Sequence, residues 1–203
     1  MLNGKRRHYE NYLKEVFMEG YKNAAIALAQ ITHDKIYYNN FHHSFHQIEN
    51  NSITKMTEIN RAGSNILITT EVMGDVPGKN YLLLNQHEFD SLTKGIRSDK
   101  NHPMDIKKEF MKELDNILSA SVITKLSDNL GMKMYGDVPV WSGPFKGNIM
   151  NLIREDFGKG TDEVYISSLF FSFDHSPKIQ PFFIWVMHSK IIQTLSAKLS
   201  YQM

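Results

Sequence analysis

The stretch from Asp105 to Pro139 constrains this chain more than any other part of its sequence. Apolar residues recur in it at helical spacing and predict one long helix with one buried face: Phe110, Leu114, Ile117, Leu118, Val122, Leu126 and Leu130. Gly131 follows directly, and glycine commonly ends a helix in the left-handed conformation. Residues 132–139 are mixed in polarity and end in a turn-forming proline, which is typical of a short strand. The sequence therefore predicts a helix followed by a strand that doubles back along it.

The helix and its return strand have matching lengths. Between Asn116 and Leu130 the helix would rise about 21 Å. Residues 132–139 would descend about 23 Å as a strand. If the strand packs antiparallel to the helix, Pro139 returns to the level of Asn116. Four residues would also share an arc of about 60° beside the buried stripe: Glu109, Glu113, Asn116 and Ala120.

Composition narrows the class of protein. The chain has 203 residues, 41% of them hydrophobic, which favours a single globular domain over residues 1–203. A formal net charge of +1 gives no electrostatic reason to expect a nucleic-acid or membrane partner. The absence of cysteine excludes disulfides and thiolate metal sites. Because no apolar signal core follows Lys5, Arg6 and Arg7, and no apolar run has membrane length, we expect a cytoplasmic protein.

The remainder of the chain alternates helices and strands. Apolar periodicity predicts helices over residues 9–32, 87–96, 145–157 and 189–199. Strands are predicted over residues 35–46, 53–60, 65–73, 80–85, 164–173 and 181–188. We therefore expect an α/β (α+β) fold in which long helices pack on a mixed, largely antiparallel β-sheet.

The sequence contains a weak internal similarity at an offset of 98 residues. Residues 15–26 align with residues 113–124, and each segment begins a long helix that a strand follows. One interpretation is a pair of related halves, over about residues 8–97 and 103–200. The other is that any two amphipathic helices align this well.

Three residues form a spaced pattern, Glu-x2-Asn-x22-Pro, with Glu113, Asn116 and Pro139 at its fixed positions. This pattern resembles the signature of the CheC, CheX and FliY phosphatases of bacterial chemotaxis. The surrounding ELDNILSASVITKLSDNLGMKM is similar to that family's stretch around the signature. The resemblance implies two pseudo-symmetric halves with long helices packed on a β-sheet. It covers nearly the whole chain in element order and about 35 residues by motif.

The resemblance also implies how the two halves differ. Glu15 would be the remnant of a degenerate first-half site, because Met18 and Phe41 stand where the second half has its asparagine and proline. A single intact site is the arrangement of CheX-like members, which tend to form homodimers. Glu109 departs from the family pattern, which usually has Asp or Ser there, and would alter the contact with a partner.

The implied substrate is the aspartyl phosphate of a CheY-like response regulator in chemotaxis or two-component signalling. In this hypothesis the carboxamide of Asn116 holds the attacking water, and Glu113 pairs with a lysine of the regulator. Pro139 would shape the backbone beside the helix. Mg²⁺ would belong to the regulator, so we expect no cofactor and no metal on this chain.

Two other functions stay open. A non-catalytic adaptor of the same fold would bind a response regulator or a flagellar switch component, and Glu109 and the eroded first half favour it. The third candidate is a sensory ligand-binding module, although no pocket-forming set of polar residues is visible in the sequence.

The segment FHHSFH raises the question of a metal site. On a strand, His42 and His46 share one face while His43 points to the other. No carboxylate stands at a spacing that would complete a metal site. We therefore interpret this segment as a polar strand face.

Overall fold

The computed structural model describes residues 2–48, 65–96, 103–158 and 163–200. The helices in these ranges are α1 (Leu2–Thr32), α2 (Gln86–Leu92), α3 (Pro103–Leu130), α4 (Ile149–Phe157) and α5 (Lys190–Ser200). The strands are β1 (Ile36–Gln47), β2 (Asn65–Gly74), β3 (Gly78–Asn85), β4 (Met134–Gly136), β5 (Val140–Phe145), β6 (Glu163–Phe173) and β7 (Phe182–His188). The strand predicted over residues 53–60 lies outside the described residues.

The described strands form one seven-stranded sheet. Its order is β1-β6-β7-β3-β2-β4, and β5 also pairs with β2. Each described pairing is antiparallel, so this part of the sheet lacks the parallel component of a mixed sheet. The strand order is symmetric: β1 corresponds to β4, β6 to β2, and β7 to β3 when the order is read from its two ends inward. This is the topology of two pseudo-symmetric halves that meet at the β3–β7 pair. The residue boundaries predicted for the two halves stay a prediction.

The two long helices pack on one face of the sheet and run antiparallel to each other. Tyr12 of α1 donates a 2.9 Å hydrogen bond to the carbonyl oxygen of Asn129 in α3, and Gly20 packs on Val122. A Cβ on residue 20 would lie 3.0 Å from the Cα of Val122, so a glycine permits this close approach. On the other face, α4 contributes Ile149, Met150 and Ile153 to a second core. None of the helices in the described ranges combines the length and apolarity of a membrane span.

The long central helix is confirmed as α3. Five of the seven residues predicted for its stripe are buried: Leu114, Leu118, Val122, Leu126 and Leu130. Phe110 and Ile117 are only half-buried, and Met111, which the prediction left out, is fully buried. Gly131 follows with a φ of 58°, so the helix ends in the left-handed conformation that the sequence predicts.

The segment after α3 differs from its prediction. The expected strand over residues 132–139 is wrong in extent, because only Met134–Gly136 pair as a strand. Val140–Phe145 then form β5, which the sequence analysis missed. Gly143 and Pro144 weaken the strand signal there, and β5 accommodates them through a register shift opposite β2 and a φ of 75° at Gly143.

Three helix ends also differ from their predicted positions. The helix predicted over residues 145–157 begins at Ile149, because the Asn148 side chain caps it by accepting a 2.8 Å hydrogen bond from the Met150 amide. The first helix starts earlier than residue 9, and α2 ends at Leu92.

Candidate functional site

Glu113 and Asn116 lie on the solvent-facing side of α3. Leu114, between them, points into the core and is 3% exposed. Glu113 and Asn116 are exposed, as are Glu109 and Ala120 on the same side of the helix. This face therefore presents two carboxylates and one carboxamide to solvent.

A shallow cleft of about 390 Å³ separates this helix face from the segment that follows α3. Its lining residues come from both sides: Glu109, Lys112, Glu113, Asn116, Gly136, Asp137, Val138 and Pro139. The structure thus brings Pro139 beside Asn116, as the matched lengths of helix and return segment predict. The four residues that the sequence places at the intact site share this cleft.

The return segment is held on the edge of β2 by backbone contacts that require a glycine. Gly74 has a φ of 120°, and a Cβ at this position would clash with the carbonyl oxygen of Lys133. The Lys133 amide donates a 2.9 Å hydrogen bond to Asp75 Oδ2. Further along, the Asp137 amide donates to the carbonyl oxygen of Glu71 at 2.9 Å. These contacts fix the chain just before Pro139.

The two carboxylates of this face differ in their partners. Glu109 is paired within the chain, because Lys112 Nζ lies 3.0 Å from both of its carboxylate oxygens. In the part of the chain that the structure describes, the side chains of Glu113 and Asn116 form no hydrogen bond or ion pair. Both are therefore available to a partner molecule.

A buried polar layer lies beneath the exposed face. Asp115, which precedes Asn116, is fully buried, and its Oδ2 accepts a 2.6 Å hydrogen bond from Thr70 Oγ1 of β2. One helical turn further, Ser119 Oγ accepts a 2.6 Å hydrogen bond from Asn80 Nδ2 of β3. Thr70 and Asn80 are cross-strand partners, so the two contacts join α3 to neighbouring strands at one level.

The environment of Asp115 favours its protonated form. Burial raises the pKa of its carboxyl to about 7, and the hydrogen bond from Thr70 lowers the pKa by less than burial raises it. Within the described residues, Asp115 Oδ1 has no hydrogen-bond partner. This carboxyl therefore titrates near neutral pH although no solvent reaches it.

The first half of the chain is built differently at the corresponding positions. Glu15 is exposed on α1, whereas Met18 is half-buried. Phe41 packs against the main core, with its ring edge-on to Tyr21 at a centroid distance of 5.8 Å. The position that corresponds to Pro139 is thus occupied by a core aromatic residue.

Sequence reasoning missed three charged residues in or beneath the cleft. Lys112 and Asp137 line the cleft, but exposed charges on helices and turns are too common to give a signal. The sequence did contain a signal for Asp115, because this residue lies on the buried stripe between Met111 and Leu118. A carboxyl at such a position must be hydrogen-bonded or protonated.

Comparison with known proteins shows a likeness in structure. No protein-family model matches the chain, and no curated protein matches it. FliY from Thermotoga maritima is 16% identical, with a TM-score of 0.66 over 96% of each chain. A chain of the CheX–CheY–BeF3–Mg²⁺ complex from Borrelia burgdorferi is 12% identical, with a TM-score of 0.53 over 85% of this chain and 98% of that chain.

A third solved structure shares the architecture. The middle domain of FliM from Vibrio alginolyticus is 10% identical, with a TM-score of 0.54 over 89% of this chain and 95% of that chain. At such low identities these likenesses show the fold alone. The chain has a CheC/CheX/FliY-type fold, and its structural neighbours are chemotaxis proteins.

Proposed function

We propose that this chain is a phosphatase that hydrolyses the aspartyl phosphate of a CheY-like response regulator. The observation that carries the proposal is the pair Glu113 and Asn116, which is exposed on α3 and lines one cleft with Pro139. The fold adds support, because one similar structure is a complex of CheX with CheY.

The reaction demands little covalent chemistry from the enzyme. An acyl phosphate is intrinsically labile, so positioning of water and charge stabilisation account for most of the catalysis. The carboxamide of Asn116 can donate and accept hydrogen bonds at once and does not titrate, which suits it to hold the attacking water. Water attacks phosphorus in line, the bond from phosphorus to the aspartate oxygen breaks, and inorganic phosphate leaves.

In this proposal Glu113 docks the helix on the regulator. Its carboxylate lies one helical turn before Asn116 and pairs with a lysine of the regulator through a charge-assisted hydrogen bond. Lys112 is already paired with the neighbouring Glu109. On this described face, Glu113 is therefore the unpaired carboxylate to which a lysine of the regulator can bind. The Mg²⁺ that the reaction needs belongs to the regulator.

A non-catalytic adaptor is the second candidate. Glu109 with its partner Lys112 in the cleft favours it, because this pair departs from the pattern that the phosphatases have at that position. An adaptor would use Glu113 for docking, while Asn116 would not accelerate phosphate loss. The homodimer and the cytoplasmic location stay predictions under either function.

One assay separates the two candidates. Loss of radiolabelled aspartyl phosphate is followed on a panel of CheY-like regulators, and binding to each regulator is measured in parallel. A phosphatase shortens the lifetime of the phosphorylated regulator at substoichiometric amounts. If a regulator binds this chain but its aspartyl phosphate has the same lifetime with and without the chain, the adaptor is supported and the phosphatase is rejected.

A further inference from the structure

Three polar side chains converge on the face of β1 that lies opposite α1. Phe41 and Phe45 point from β1 into the main core under the long helices. Because side chains alternate along a strand, His42, Ser44 and His46 share the other face. All three are half-buried. β1 stands at one end of the described strand order, so this cluster lies far from β4 and the cleft at Asn116.

The two imidazoles reach toward each other over the short serine side chain. His42 Nε2 and His46 Nε2 are 3.3 Å apart. Ser44 Oγ lies 3.1 Å from His42 Nε2 and 2.6 Å from His46 Nε2. Four residues along a strand span about 13 Å, so the rings meet only because both lean along β1. Two nitrogens and one oxygen thus form a compact triangle.

The dimensions of this triangle match the face of a metal coordination shell. Imidazole nitrogens bind zinc at about 2.0–2.1 Å, so neighbouring ligands are about 3.4 Å apart in the tetrahedral shell that zinc usually takes and about 3.0 Å apart in an octahedral shell. The 3.3 Å between the two Nε2 atoms and the 3.1 Å between His42 Nε2 and Ser44 Oγ lie within this range, whereas the 2.6 Å between Ser44 Oγ and His46 Nε2 is shorter. An ion placed about 2.1 Å from all three atoms would lie about 1.1 Å above their plane.

The protonation state of His46 suits metal binding. Burial, followed by the nearby His42, lowers the pKa of His46 to about 4. At neutral pH this ring is therefore the uncharged imidazole that metals bind. The negative charge of Glu163 raises the pKa of His46, but by less than burial lowers it. Oε1 of Glu163 accepts hydrogen bonds from Arg6 and Gln47. Among the residues that the structure describes, the side chains that converge here are two imidazoles and a hydroxyl.

We propose that His42, Ser44 and His46 form a binding site for a divalent transition-metal ion of the class that imidazole prefers, with Zn²⁺ as the probe. The two Nε2 atoms are the ligands, Ser44 Oγ is a weaker third contact, and water completes the shell. The site holds fewer protein ligands than a structural zinc site, and the described residues contain no group of three or more His, Cys, Asp or Glu side chains with metal-binding geometry.

The competing explanation is a hydrogen-bonded cluster. The Ser44 hydroxyl can donate to one ring and accept from the other, which satisfies the same three atoms without an ion. The two explanations differ in one measurable property: a hydrogen-bonded cluster has no saturable affinity for Zn²⁺ that depends on both rings.

The test is calorimetric titration of the complete, tag-free chain with ZnCl₂ at pH 7.5. We expect one saturable site, weakened at least tenfold in both His42→Gln and His46→Gln. His175→Gln is the matched control, because His175 is 80% exposed and pairs with Asp34, and it should stay within twofold of the unmodified chain. Absence of saturable binding below millimolar Zn²⁺, or equal binding by all three variants, would overturn the proposal.

A second measurement needs no substitution and so does not depend on the folding of variants. Cu²⁺ bound at one equivalent should show electron paramagnetic hyperfine splitting from two imidazole nitrogens. Splitting from a single nitrogen, or from none, contradicts a site built on His42 and His46. Neither assay involves a response regulator, so either result leaves the proposed phosphatase function to its own test.

Discussion

Thr70 Oγ1 donates a 2.6 Å hydrogen bond to the buried carboxyl of Asp115, on the helix that carries Asn116 at the next position. The same strand that provides Thr70 pairs with β4, where Val72 faces Gly136. One strand therefore contacts both sides of the cleft. This link positions the exposed face of α3 relative to the segment that ends at Pro139.

The first prediction concerns the pH dependence of stability. Burial raises the folded-state pKa of Asp115 to about 7, well above the usual value for an aspartate, so the folded state holds this proton more tightly than the unfolded state does. Its stabilising contribution is complete below about pH 4 and is lost as pH rises through 7, by up to about 4 kcal/mol. Asp115→Asn removes the titration and retains an acceptor for Thr70.

Chemical unfolding at several pH values checks this prediction. The difference in unfolding free energy between Asp115→Asn and the unmodified chain should shift in favour of the variant between pH 4 and pH 8. The contributions of other titrating groups, such as His46, are the same in both proteins and cancel in this difference in unfolding free energy. A difference that stays constant over this range would show that Asp115 does not titrate there.

The second prediction concerns docking by Glu113. Glu113→Gln should weaken binding to the phosphorylated regulator roughly tenfold, because the ion pair with the regulator's lysine is lost and only a hydrogen bond to a neutral amide is left. The unfolding free energy should change by less than about 0.5 kcal/mol, since the side chain is exposed. Asp128→Asn, another exposed acid on α3, is the matched control and should leave binding unchanged. Equal binding by Glu113→Gln and the unmodified chain would remove the docking role.

The third prediction concerns the glycine that admits the return segment. Gly74→Ala should destabilise the chain by about 2 kcal/mol or more, because φ is 120° and the added Cβ would clash with Lys133. Gly95→Ala is the control, since its Cβ would meet no atom within 4 Å. Thermal unfolding compares the two. Similar melting temperatures would mean that β4 can move away from β2 at little cost.

The fourth prediction concerns apolar side chains beside the cleft. Tyr135, Val138 and Val140 are 57%, 69% and 56% exposed and lie on the return segment and β5. If the regulator covers this surface, Tyr135→Ser should weaken its binding several-fold through lost apolar contact. Tyr37→Ser provides the comparison, because Tyr37 is 44% exposed on β1 at the other edge of the sheet. Equal affinities of the two variants would exclude Tyr135 from the interface.

The parts of this fold that the sequence predicts are those set by local rules. The stripe on α3 and the left-handed Gly131 depend on neighbours within a few residues, and both are observed. The meeting of Asn116 and Pro139 also follows from lengths alone, since a helix and its return segment cover similar distances. Periodicity and chain geometry were sufficient for these features.

Other parts depend on contacts between residues far apart in the chain. β5 forms because β2 offers an edge to pair with, although Gly143 and Pro144 argue locally against a strand. The hydrogen bond between Thr70 and Asp115 joins residues 45 positions apart, so no local pattern indicates it. The convergence of His42 and His46 likewise depends on how both rings lean along β1.

The most direct measurement is the rate at which a phosphorylated CheY-like regulator loses its phosphate in the presence of Asn116→Ala. Asn129→Ala is the matched control, because Asn129 is exposed on the same helix about 20 Å away. We predict that Asn116→Ala lowers the acceleration roughly a hundredfold while the control keeps it. If Asn116→Ala accelerates phosphate loss as well as the control does, the exposed carboxamide is not the catalytic group and the proposed function is wrong.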